Sequence, residues 1–231
     1  MNIIIGANGG IGSNIAKILQ ERDEDLYLLS RKPVDNTSQQ NDVIDVLNFE
    51  ETHAKVSKIA QSHAIKALYY CVGSIDLKPF IATKAQDYID SYNLNVLGAV
   101  AAIQGAIGSL KQNNGSVVLF STIAAQKGFK NHAIIAASKS GLEGLSVSLA
   151  AEYAPYVRFN CIAPSLTNTP LAKDILSNEK MAESLAKQHP MKRLGLPNDI
   201  ASLASFLGSE KSSWITGQIF HVDGGYSSLK V

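Results

Sequence analysis

Two stretches of the chain carry residue types that could do chemistry. The first is Gly6-Ala7-Asn8-Gly9-Gly10-Ile11-Gly12, set between the β-branched run Ile3-Ile4-Ile5 and a segment with Ile15, Ala16, Ile18 and Leu19 at helical spacing. A strand that turns into a helix over glycines presents backbone amides and the positive end of the helix to an anion, with no side chain in the way. Gly6, Gly10 and Gly12, with Asn8 and Ile11 in the same turn, therefore suit a pyrophosphate. Taken alone, such a turn could be a structural bend; its place between the first strand and helix of a βαβ pattern is what points to a dinucleotide. The second stretch runs from Ala133 to Gly141, where Lys139 follows Ser138 in a helix opening of otherwise small and apolar residues, with His132 just ahead of it. A lysine there is either a solvated charge or a ligand contact.

Positioning these residues requires an alternation of strands and helices. After the first unit, Leu26 to Leu29 reads as a second strand, Val43 to Leu47 as a third and Glu50 to Gln61 as an amphipathic helix. Ile65 to Val72 is a buried fourth strand bounded by Gly73, and Asp87 to Leu110 a long helix with small residues for close contact. Ser116 to Phe120 is a fifth strand, His132 to Tyr153 a helix, Val157 to Ile162 a sixth strand stopped by Pro164, Asp199 to Leu207 a helix and Gln218 to Val222 a last strand. The polar loop over 33–41 and a helical excursion over 165–195 interrupt the pattern. The expectation is a single-domain, doubly wound (Rossmann) α/β fold spanning 1–231, with about seven parallel strands and helices on both faces, and ligands at the carboxyl ends of the strands.

Composition narrows the partners. The 231 residues are 45% hydrophobic, enough for one sizeable core, and 21 basic against 20 acidic residues leave a net charge of +1. That balance provides no field to gather nucleic acid or an anionic membrane. Small molecules and other subunits are the expected partners. Cys71 and Cys161 lie far apart in apolar runs and fit buried, reduced thiols, hence a cytoplasmic location with no disulfide and no metal site. Gly6 interrupts the apolar start too early for a signal peptide, and no uninterrupted apolar run approaches a membrane span. A dinucleotide fold usually ends its second strand in a carboxylate for a ribose 2'-hydroxyl; here Ser30 is followed by Arg31 and Lys32. An arginine fork suits a 2'-phosphate, which favours NADP(H) over NAD(H), unless the pair is only solvated loop charge.

With these pieces in order the chain resembles the short-chain dehydrogenase/reductase family from Gly6 to Gly225. The Gly6-x-x-x-Gly10-x-Gly12 turn has that family's spacing. Asp45-Val46, Asn95, Ser121-Thr122, Ser138-Lys139, Asn160-Cys161-Ile162-Ala163-Pro164, Ile215-Thr216-Gly217-Gln218 and Val222-Asp223-Gly224-Gly225 follow in the family's order. The resemblance implies an oxidoreductase acting on a carbonyl or secondary alcohol. Thr122, with Ser121 as a near alternative, would hold the substrate oxygen, Lys139 the nicotinamide ribose, and Asn95 a water of the proton relay. It also implies cofactor contacts at Asp45, Val46, Gly73, Pro164, Thr167 and Thr169, and a homotetramer or homodimer using the Asn95 and Lys139 helices and the last strand.

The departures bear on function. The family's Asn-Asn-Ala-Gly is Tyr70-Cys71-Val72-Gly73, its glycine after the proline is Ser165, and its catalytic tyrosine, four residues before the lysine, is Ile135. Isoleucine has no exchangeable proton. The implied alternatives are impaired or unconventional catalysis, with His132 or Lys139 as substitute donors, or a non-catalytic NADP(H)-binding sensor or partner subunit. Tyr69, Tyr70 and Tyr153 read as packing residues, with Tyr70 placed to border a cofactor channel.

Overall fold

The computed structural model describes residues 1–35 and 37–230; Asn36, inside the polar loop expected over 33–41, and Val231 lie outside the described residues. Seven parallel strands form one sheet in the order β3-β2-β1-β4-β5-β6-β7. The strands are β1 (Asn2–Ile5), β2 (Leu26–Ser30), β3 (Gln40–Val43), β4 (Ala67–Tyr70), β5 (Ser116–Phe120), β6 (Arg158–Pro164) and β7 (Ile219–Val222). The order reverses between β1 and β4, which is where an open α/β sheet leaves a crevice at its carboxyl edge.

Helices cover both faces because the central strands β1, β4 and β5 are buried along their whole length and are mostly apolar on both sides. One face is covered by α2 (Phe49–Ser62), α4 (Gly98–Gln112) and α5 (Ala133–Tyr153), whose Val56, Ile103, Ala106 and Leu142 pack on Ile3, Ile5, Leu68 and Val117. The other face is covered by α1 (Gly10–Gln20) and α8 (Pro197–Leu207), through Ile15, Leu19, Ile200 and Leu207 on Ile4, Leu28 and Val118. Complete burial of such a side chain stabilises by roughly 1.5–3 kcal/mol, so these two layers hold the strand ends in place.

The long helix expected from Asp87 to Leu110 is continuous but not uniform. It consists of α3 (Ala85–Tyr92), a π-helical turn Asn93–Leu97, and α4. The whole Ala85–Gln112 helix is long and apolar enough to cross a membrane, yet 56% of its most apolar window is buried inside the fold, so those residues serve the core.

Three strand assignments change. β3 occupies Gln40–Val43, ahead of the expected Val43 to Leu47: Ile44 and Val46 are buried beyond the strand, while the strand itself is a mostly exposed edge. β4 is shorter than Ile65 to Val72, and β6 runs through Pro164 because the sheet continues to β7 through a Pro164–Val222 pairing. The 165–195 excursion contains a short 3-10 turn at Pro170–Ala172, α6 (Lys173–Leu176) and α7 (Glu179–Gln188).

Candidate active site

The glycine turn is built by backbone clearance. Gly6 has φ +87°, in the left-handed region where a side chain is strained, and a Cβ there would lie 3.0 Å from the Cys71 carbonyl. A Cβ on Gly12 would lie 2.4 Å from the Gly6 carbonyl oxygen, so α1 can approach β1 only with glycine at this point. No side chain caps the first turn of α1, which leaves its amides for an anion. Asn8 ties the turn to the end of β2, donating to Ser30 Oγ at 3.1 Å and to the carbonyls of Lys32 and Pro33 at 3.0 Å.

Ser30 is buried at that strand end, and Arg31 and Lys32 beside it are exposed. Among the described residues neither cation enters a salt bridge. Val46 is buried after β3 with its carbonyl oxygen 3.1 Å from where a Gly98 Cβ would stand, and Asp45 is exposed, its carboxylate accepting from the Leu47 amide at 3.1 Å. This half of the crevice thus combines an uncapped glycine turn with two cations that enter no salt bridge among the described residues.

The other half is built by side chains from α5 and the π-helical turn. Lys139 is 6% exposed, and its ammonium donates to the Phe120 carbonyl at 2.7 Å. Burial draws its pKa down from 10.5 to about 8. Two thiols lie near it. Burial pushes Cys161 up to about 12 and Cys71 higher still, so both stay neutral. Both cysteines are free; Cys71 is partly accessible where the chain leaves the sheet after Tyr70 and lines the cavity, while its thiol stays largely desolvated.

The π-helical turn sets Asn95 toward Ser91, whose carbonyl accepts from Asn95 Nδ2 at 2.8 Å. Asn95 Oδ1 is buried without a partner. A Cβ on Gly73 would sit 3.1 Å from that oxygen and 3.2 Å from Lys139 Nζ. Glycine therefore keeps open a space flanked by an orphaned acceptor and an ammonium, and a hydroxylated group or water fits there. The residues present thus suit a nicotinamide dinucleotide at both ends: the uncapped glycine turn for its phosphates, Lys139 and Gly73 for a ribose.

Between the two halves and α7 lies a cavity of about 370 Å³. Of the residues singled out from sequence, Ile11, Cys71, Val72, Gly73, Ser121, Thr122, His132, Ile135, Lys139, Pro164, Ser165, Thr167 and Thr169 line it. Gly6, Asn8, Gly10, Gly12, Ser30, Arg31, Asp45 and Val46 lie outside the lining, toward β2 and β3, and Asn95 lies behind Gly73. Tyr70 does not border a cofactor channel. Its hydroxyl donates to the Leu94 carbonyl at 2.7 Å inside the core.

Thr122 and Ser121 separate by their partners. Ser121 Oγ donates to Glu143 Oε1 at 2.6 Å, so its proton is committed, whereas Thr122 Oγ1 accepts from the Ala124 amide at 3.3 Å and keeps its proton free. Glu143, whose second oxygen accepts from Gln126 at 2.8 Å, went unnoticed in the sequence; a charged residue inside an apolar helix stretch was the available signal. So did His189, 4% exposed, with one nitrogen on the Leu185 carbonyl at 2.9 Å and the other on Ser165 Oγ at 2.8 Å. Ile135, 4% exposed, faces the cavity, as do the apolar Ile75, Leu77, Phe129, Leu171, Ile175, Met181 and Leu185.

A glycine turn at the head of a parallel sheet, with a buried lysine and an asparagine facing the next strand ends, defines a dinucleotide-binding oxidoreductase scaffold. Comparisons with known proteins sharpen this. The family model described as enoyl-(acyl carrier protein) reductase matches residues 6–227. The 3-oxoacyl-[acyl-carrier-protein] reductase FabG of Rickettsia felis is 28% identical, covering 97% of this chain and 95% of its own. Tropinone reductase-like 3 of Erythroxylum coca is 33% identical over 84% of this chain and 71% of its own. Among solved structures, the ligand-free aldohexose dehydrogenase of Thermoplasma acidophilum superposes with a TM-score of 0.93 at 27% identity, covering 100% of this chain and 96% of that one. ElxO with NADP bound superposes at 0.90 and 27% identity, covering 99% and 98%. The chain belongs to the short-chain dehydrogenase/reductase family.

Proposed function

We propose that the chain is an NADP(H)-dependent reductase of neutral, apolar carbonyl compounds, working without the family's tyrosine, whose place Ile135 fills. The observation that carries this reading is the pair formed by Lys139 Nζ and the buried, unpartnered Asn95 Oδ1 around Gly73, at the inner wall of an apolar cavity. When bound, the reduced nicotinamide supplies a hydride. The chain's own residues would do the rest: Gly6, Gly10 and Gly12 seat the phosphates, Lys139 holds the ribose, Thr122 fixes the substrate oxygen with a hydrogen bond from its free hydroxyl, and Asn95 holds a water.

Ser30, Arg31 and Lys32 favour a 2'-phosphate because no carboxylate stands at the end of β2 to repel one. Support for substrate class comes from the lining: no carboxylate reaches the cavity among the described residues, and its only buried cation is Lys139. The segment 165–195 closes over it through Leu171, Ile175, Met181 and Leu185. Free thiols at Cys71 and Cys161 fit a reducing cytoplasm. Exposed Tyr92 and Val147, on the Asn95 and Lys139 helices, fit a homodimer or homotetramer formed by these helices.

Ile135 itself supports a second reading, a non-catalytic NADP(H)-binding sensor or partner subunit. Fluorescence titration with NADPH, followed by steady-state NADPH oxidation across a panel of ketones, separates the two. Binding with turnover that Lys139→Ala removes supports the reductase; binding without turnover supports the sensor. Failure to bind NADPH defeats both.

A further inference from the structure

We propose, resting on the reductase reading above, that His132 is the catalytic proton donor of this site and takes over the work of the absent tyrosine. Five titratable side chains line the cavity: Cys71 from the end of β4, His132 and Lys139 from α5 and its cap, His189 from the end of α7, and Tyr226 from the C-terminal turn. Four of them are committed elsewhere. Cys71 is held neutral by burial. Lys139 donates to the Phe120 carbonyl and is sunk beside Gly73. His189 has both ring nitrogens bonded, and the Tyr226 hydroxyl donates to Gln188 at 3.1 Å with Lys127 Nζ 4.3 Å over its ring.

His132 differs from the other four. Its Nδ1 lies 2.7 Å from the Lys130 carbonyl, which can only accept, so Nδ1 carries a proton and Nε2 is the position that gains or loses one. Nε2 has no hydrogen-bond partner among the described residues. The ring rests against Phe129 at 5.3 Å and is half-buried, open to the cavity that Thr122 and Ile135 share. His132 caps α5, one helical turn before Ile135, so it stands on the same face as the missing hydroxyl. Imidazole is the side chain best suited to exchange protons near neutrality.

The carbonyl carbon accepts a hydride from a reduced nicotinamide dinucleotide, the π pair of the C=O bond moves to oxygen, and that oxygen takes the Nε2 proton of protonated His132. The products are a secondary alcohol, the oxidised dinucleotide and neutral His132, which regains its proton from solvent.

The test compares the wild type with His132→Asn, chosen because asparagine keeps an N–H for the Lys130 carbonyl and is a favoured helix cap. The expected result is a fall in kcat of about 10² to 10⁴ at unchanged NADPH affinity by fluorescence, with turnover of His132→Ala partly rescued by added imidazole. A second readout needs no turnover: with ¹⁵N-labelled histidine, the Nε2 signal missing from His132→Asn should move when a secondary alcohol is added to the protein with NADP⁺. Turnover that survives His132→Asn, or an Nε2 signal indifferent to the alcohol, overturns this role and leaves the reductase reading standing. A wild type that binds NADPH but reduces no ketone overturns the reductase reading and this role together.

Discussion

The two ends of the crevice are made differently. At the β1–α1 end the chain works through absence of side chains: Gly6 and Gly12 are there because a Cβ would meet backbone at 3.0 and 2.4 Å. At the β4–α5 end it works through particular atoms: the Lys139 ammonium, the Asn95 carbonyl oxygen, the Thr122 hydroxyl and the His132 imidazole. Backbone clearance tolerates almost no substitution, whereas a side-chain role can pass to a neighbour. This contrast fits a chain that keeps the family's glycine turn and presents Ile135 where its family presents tyrosine.

The sharpest way to break the comparison is at the rigid end. Gly12→Val drives Cβ into the Gly6 carbonyl and should cost about 2–3 kcal/mol of stability and abolish NADPH binding, read by thermal unfolding and fluorescence titration. Binding that survived this change would place the dinucleotide elsewhere. Next comes Lys139→Ala, expected to lower kcat/KM roughly 10²-fold or more with weakened NADPH binding in the same assays.

Lys139 also gives a pH signature in the protein without cofactor. Its folded pKa of about 8 lies below the unfolded 10.5, so between those values the unfolded chain holds more protons and stability rises with pH. Below about pH 8 the cost of the buried ammonium is fully present, roughly 3 kcal/mol. Lys139→Met should therefore be more stable than the wild type at pH 7, and the gap should narrow toward pH 10 in denaturant melts. A gap independent of pH would mean the ammonium is not desolvated.

At the exposed rim the effect should be smaller. Arg31→Ala is expected to weaken NADPH about tenfold while leaving NADH unchanged, measured by competitive titration. Equal losses for both cofactors would remove the 2'-phosphate contact.

What could be read from the sequence follows the same division. The glycine turn and the strand at Ser116–Phe120 are legible because local pattern alone specifies them: glycines between a strand and a helix, and an unbroken apolar run between turns; Lys139 stands out only through the family resemblance, since its own neighbourhood leaves a solvated charge equally open. β3 was misplaced because hydrophobicity marks the residues that reach the core, Ile44 and Val46, while an edge strand of Gln40–Val43 is held by its backbone ladder to β2. The π-helical turn at Asn93–Leu97 has no signature in residue type, since it shifts the hydrogen-bond register of an otherwise helical sequence. Glu143 with Ser121 and His189 with Ser165 escaped notice because each pair is joined only by the tertiary fold, 22 and 24 residues apart. Such contacts leave no periodicity to detect.

On the proposed reading, the cofactor is seated independently of the proton donor. Ile135→Tyr measures that separation directly, because it restores a hydroxyl at the cavity wall without touching the glycine turn. The account predicts the same NADPH affinity as the wild type, within about twofold, and a rise in ketone reduction of about 10- to 100-fold. NADPH affinity that changes with this substitution, or turnover that does not, would contradict it.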